Sequence, residues 1–145
     1  MQETQTIAKG SWRGMKKNIN VIVYYKASNG LGTQLRHAVE QIVPRNRVET
    51  YHTVSGLSGR LHRSVADSVV VLLALDKADL TDIAAIQNLL FDSRVLLVLP
   101  GHEDDILAIG HSLRPRFVSF RDYGFQDVSA VLGKMTSGNN ALKRK

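Results

Sequence analysis

Three observations predict that this 145-residue chain folds as a three-layer α/β sandwich, a five-stranded parallel sheet between two layers of helices. Apolar, strand-like runs occur at Asn20–Tyr25, Val48–Val54, Ser68–Leu75, Arg94–Leu99 and Arg116–Phe120. Each is followed by a stretch with helical character, and strict alternation of this kind argues for parallel strands joined by crossover helices. Two of the runs, Val21–Val23 and Val69–Leu75, contain no polar residue at all, as suits strands covered on both faces.

The elements follow in order. After the first strand, Lys26–Thr33 is a glycine-bearing loop, and the next helix sets Leu35, Val39 and Ile42 on one stripe before Pro44 stops it. The second strand alternates, with Val48, Thr50, His52 and Val54 on one face and Glu49, Tyr51 and Thr53 on the other, which marks it as an edge strand. Ser55–Arg63 carries two glycines and predicts at best a short, poor helix. The third strand is the most hydrophobic segment and belongs at the centre of the sheet. Asp79 and Thr81 are the candidate N-caps of the helix bearing Ile83, Ile86, Leu89 and Leu90. Pro100-Gly101 ends the fourth strand, and Glu103, Asp104 and Asp105 follow where a helix start favours negative charge. That helix presents Ile106, Leu107, Ile109 and Leu113 up to the Arg114-Pro115 break. The fifth strand leads through Asp122-Tyr123-Gly124 to a last helix with Phe125, Val128, Val131, Leu132 and Met135.

Composition bounds the function. The apolar fraction of 43% fits a globular chain, and the absence of cysteine excludes disulfides, thiolate metal sites and a cysteine nucleophile. No apolar run approaches the roughly 20 residues of a membrane helix, and Met1–Gly10 lacks the apolar core of a signal peptide. The expectation is a cytoplasmic protein with no membrane partner. The net charge of +6 resides in the tails: Lys9, Arg13, Lys16 and Lys17 against Glu3 at one end, and Lys143, Arg144 and Lys145 at the other. Residues 18–142 are neutral, which argues against a nucleic-acid partner on sequence grounds. The predicted organisation is a flexible basic arm over residues 1–18, one domain over 19–136, and a disordered basic tail over 137–145.

Element order, spacing and a most-apolar third strand make residues 19–136 resemble the receiver domain of bacterial response regulators. The resemblance implies a flavodoxin-like sheet of order 2-1-3-4-5. It also implies a magnesium-holding acidic pair after strand one, a phosphoacceptor aspartate after strand three, a switch hydroxyl after strand four and a lysine after strand five. Those places hold Tyr25 and Lys26, then Ala74 (or Asp76, if the strand runs two residues longer), then Leu99-Pro100, then Phe120-Arg121. The pattern is that of a pseudo-receiver: without oxygen ligands for a hard cation, phosphoryl transfer loses its charge neutralisation.

Other constellations are sparser. Ser28, Asn29, Gly30, Gly32 and Thr33 sit ahead of a helix, where backbone N–H groups hold phosphate. The competing reading is a tight turn with an N-cap from Ser28 or Asn29. A flavodoxin-like binder of a flavin or another phosphate ester would use this loop, with Tyr123 as a stacking partner. Asp76, Asp79 and Asp82 read as capping and solubilising residues before they read as a cation site. His102 with Glu103, Asp104 and Asp105 is the one local cluster with ligand chemistry, and no second histidine at helical spacing completes a metal site. No catalytic motif is present, and no cofactor or metal is expected. The resulting expectation is a non-enzymatic signalling module that docks an unidentified protein partner and pairs with itself. Its contact surface would comprise Ile109, Arg114, Arg116, Arg121, Asp122 and Asp127. The alternatives are the phosphate-ester binder and an atypical phosphoreceiver using Asp76.

Overall fold

A computed structural model of the chain describes residues 19–26, 30–63 and 68–137. Five strands, β1 (Asn20–Tyr24), β2 (Val48–Tyr51), β3 (Ser68–Leu73), β4 (Arg94–Leu99) and β5 (Phe117–Phe120), form one sheet. All neighbours are parallel and the spatial order is β2-β1-β3-β4-β5, the expected 2-1-3-4-5. The register pairs Val21 with Val48 and Val69, Val71 with Leu96, and Val98 with Ser119. The helices are α1 (Gly30–Glu40), α2 (Val54–Leu61), α3 (Lys77–Ala84), α4 (Asp104–Ser112) and α5 (Gln126–Ser137), with single 3₁₀ turns at Arg45–Arg47, Gln87–Leu89 and Arg121–Tyr123.

Two cores flank the sheet. On one face Val21, Val23, Val69, Val71, Leu96 and Val98 pack with Leu35 and Val39 of α1 and with Val128 and Leu132 of α5. On the other, Ile22, Tyr24, Val70, Leu72, Leu97 and Leu99 pack with Leu57, Leu80, Ile83 and Ile106 from α2, α3 and α4. Alternation along each strand serves both layers at once, which is why β3 is buried at every position while β2 and β5, at the edges, are half-buried. Each fully buried Val or Leu contributes about 1.5–3 kcal/mol, so the central strands carry most of the stability.

Several local expectations are corrected. β2 stops at Tyr51 rather than Val54, because Thr53 turns the chain and accepts the Gly56 N–H at 2.9 Å as N-cap of α2. That cap and the buried Leu57 and Leu61 make α2 an eight-residue helix despite its glycines. β1 and β3 each end earlier than expected, at Tyr24 and Leu73, and β5 begins at Phe117. The cap of α3 is Asp76, not Asp79 or Thr81. α1 closes at Glu40, and the following turn points Ile42 outward, 40% exposed, while Val43 takes the core position. Gly124 has φ +77°, a left-handed conformation that costs glycine least, and it links the last 3₁₀ turn to α5.

Among the described residues, no helix is long and apolar enough to cross a membrane.

Candidate functional site

In open parallel sheets the working crevice lies outside the carboxyl ends of the strands, at the point where the strand order reverses. Here that point falls between β1 and β3, next to Tyr25. Tyr25, directly after β1, is 4% exposed, and its ring lies where a side chain on Gly32 of α1 would otherwise project. The glycine is thus required for the ring's close approach to the helix. His52 closes the other side, edge-on to the Tyr25 ring at 4.8 Å, with Nδ1 3.1 Å from the Tyr25 carbonyl oxygen. Lys26 projects into solvent.

The loop after β3 is held from three directions. The Ala74 N–H donates to the Val98 carbonyl at 3.0 Å, and the Ala74 side chain is fully buried. The Leu75 N–H donates to Asp79 Oδ2 at 3.0 Å, and the Leu75 carbonyl accepts from Arg121 Nη1 at 2.8 Å. Arg121 thereby ties the end of β5 to the end of β3 across β4. Asp76 is exposed, and its Oδ1 accepts the Asp79 N–H at 2.8 Å, the capping bond of α3.

Asp79 departs from its expected role. It is fully buried rather than a solubilising carboxylate, and its Oδ1 accepts the Tyr24 hydroxyl at 3.2 Å. Burial, and then the nearby Asp79 charge, push the Tyr24 phenol far above its ordinary pKa, so it stays a neutral donor. Both oxygens of Asp79 are therefore occupied.

A second constellation lies at the ends of β4 and β5. The His102 ring stacks on Phe120 at 3.7 Å and lies 3.7 Å from Asp122 Oδ1, with Tyr123, largely exposed, completing the cluster 5.2 Å from Phe120. Lys77 and Asp105 join the first turns of α3 and α4 at 2.6 Å, but both are exposed, so the pair contributes little.

The sequence-predicted residues distribute unevenly over this edge. Ser28 and Asn29 lie outside the described residues. Gly30 opens α1 and Thr33 is exposed, while Gly32 is covered by Tyr25. Of the expected contact surface, Arg121, Asp122 and Asp127 gather at the carboxyl end of β5, whereas Arg114 and Arg116 lie at its amino end, about 13 Å away for a four-residue strand. Ile109 is half-buried against the α2–α4 core. Sequence reasoning missed the Tyr24–Asp79 pair, the Tyr25–Gly32 contact and the stacking of His102 on Phe120. A glycine in a helix's first turn beside a tyrosine-ended strand was the one signal available for them.

Where the receiver resemblance expects an acidic pair the chain carries Tyr25 and Lys26, and both oxygens of Asp79 accept a hydrogen bond. Among the described residues, no three His, Asp or Glu side chains converge on one point. A scan against protein-family models finds no match for the chain, and no curated protein matches it.

Proposed function

We propose that this chain is a non-catalytic docking module of bacterial signalling, a pseudo-receiver that works without phosphate chemistry. The observation that carries the reading is the Arg121–Leu75 hydrogen bond. In a receiver, a basic side chain after strand five answers a phosphoryl group after strand three. Here Arg121 Nη1 donates to the Leu75 carbonyl of that loop, and the loop's side chain facing the core is Ala74.

The outer face of β5 and its flanking helices suits self-pairing. It carries Arg114 and Arg116 at one end and Asp122 and Asp127 at the other, all exposed. A two-fold axis across β5 brings the basic end of one copy onto the acidic end of the next, an isologous and salt-dependent contact. Sedimentation velocity at high micromolar protein is expected to show a dimer that dissociates as ionic strength rises. Asp127→Arg is expected to weaken it about tenfold, the loss of one to two cross-interface charge pairs, and Arg116→Asp in the same chain to restore it. A monomer at low salt overturns the pairing.

A further inference from the structure

Because all five strands are parallel, their amino ends share one edge of the sheet, opposite the site described above. Arg45 and Arg47 precede β2, Arg63 follows α2 on the way to β3, Arg94 opens β4, and Arg114 and Arg116 precede β5. The described acidic side chains near this edge are Glu40, Glu49 and Asp92: Glu40 is shared between Arg36 at 3.9 Å and Arg45 at 3.8 Å, and Glu49 is held by Arg60 at 2.7 Å with Arg63 nearby, while Asp67 precedes β3 in the sequence. The two basic segments attach here as well: residues 1–18 lead into β1, and residues 138–145 follow α5. The opposite edge reverses the sign, with Lys26, Lys77 and Arg121 outnumbered by Asp76, Glu103, Asp104, Asp105, Asp122 and Asp127. The folded core is neutral by count and strongly polarised by position.

Helix dipoles explain only part of this polarity. They favour cations within the last helical turn, the place of Arg60, His111 and Lys134. Arg45, Arg94 and Arg116 lie outside the last turn of every α-helix. Arg114 also occupies a left-handed conformation, φ 54°, that costs a residue with a Cβ about 1 kcal/mol. Held there, its guanidinium lies over the ring of Phe91, 4.6 Å from the centroid, and that ring is 41% exposed. A guanidinium paired with an open aromatic face is a stacking surface for a base, and arginine forks match phosphate oxygens.

We propose that the amino-terminal edge of the sheet binds single-stranded nucleic acid. Five strands at about 4.8 Å spacing make an edge about 19 Å wide, long enough to follow several phosphates of a single strand. The acidic edge of a second copy is the poorer occupant. There Asp76 caps α3 and Asp105 holds Lys77, so two of its carboxylates are already engaged.

The test is fluorescence anisotropy of the full chain with a labelled single-stranded RNA of mixed sequence, across a salt series. The expected result is saturable binding, with log K falling linearly against log salt by about 0.7 for each phosphate contacted. Arg45→Ala with Arg63→Ala is expected to weaken binding about tenfold and flatten the slope by about 1.4. Arg114→Ala with Arg116→Ala acts likewise from the far end, and Lys26→Ala at the opposite edge changes nothing. The Arg45 and Arg63 pair stands apart from the β5 face, so its effect is independent of self-pairing. Thermal melts check that each variant folds. No binding at low salt overturns the proposal. So does binding that both arginine pairs leave intact, which assigns it to the tails. Self-association lost in the Arg45 and Arg63 variant without any RNA binding also overturns it, giving the edge to a second copy.

Discussion

Asp79→Ala lowers the free energy of unfolding by about 2–4 kcal/mol in urea denaturation, the largest loss expected from any polar substitution in the fold. The carboxylate holds the hydroxyl of Tyr24, which is fully buried in β1, and the Leu75 N–H in the loop after β3. Removing it strands both donors where water does not replace it, and opens a void between β1, β3 and α3. Tyr24→Phe removes one bond and orphans nothing but a lone pair, so it costs about 1 kcal/mol. The difference between the two variants measures what the loop anchor adds. Equal losses in both would mean that the Leu75 bond contributes nothing to folding.

Arg60→Ala costs about 1.5–3 kcal/mol, the range for hydrogen bonds to a charged group, and alters the acid limb of stability. Arg60 is 8% exposed although it is an arginine, and it meets Glu49 through two bonds, Nε to Oε1 at 2.7 Å and Nη2 to Oε2 at 3.2 Å. Tyr51 donates a third bond to the same carboxylate at 2.9 Å. Burial alone pushes the Glu49 carboxyl up, but the bonds from Arg60 and Tyr51 and the Arg60 charge together hold it below its ordinary value of 4.5. A carboxylate lowered in this way stabilises the fold above its unfolded pKa, and that stability is lost as pH falls from about 4.5 through the folded value. The wild type should therefore lose stability more steeply than Arg60→Ala below that point. Parallel acid limbs would show that the pair does not couple β2 to α2.

The architecture was legible because burial on both faces imposes a signal that single residues cannot mask. The polar-free runs Val21–Val23 and Val69–Leu75 mark the centre of the sheet, and the alternation of Val48–Tyr51 marks its edge. Boundaries were less legible, since they depend on which hydroxyl or carboxylate wins a cap. Thr53 ends β2 and Asp76 opens α3, while Asp79, three residues on, looks identical in sequence and points into the core. The contacts at the carboxyl edge were not legible. Nothing local predicts that Tyr25 folds over Gly32 or that Arg121 reaches Leu75, forty-six residues away in sequence. The charge pattern was hidden for a related reason: a segment neutral by count becomes polarised only when parallel topology sorts its loops to two edges.

A native mass spectrum of the purified chain with magnesium and acetyl phosphate tests the central reading most directly. The expected spectrum shows the unmodified chain mass, alone or doubled, with no added phosphoryl group and no retained ligand. A phosphoryl adduct that Asp76→Asn abolishes would contradict it and make the exposed cap of α3 an acceptor. A stoichiometric phosphate ester carried through purification would contradict it too, and would assign the carboxyl edge to ligand binding.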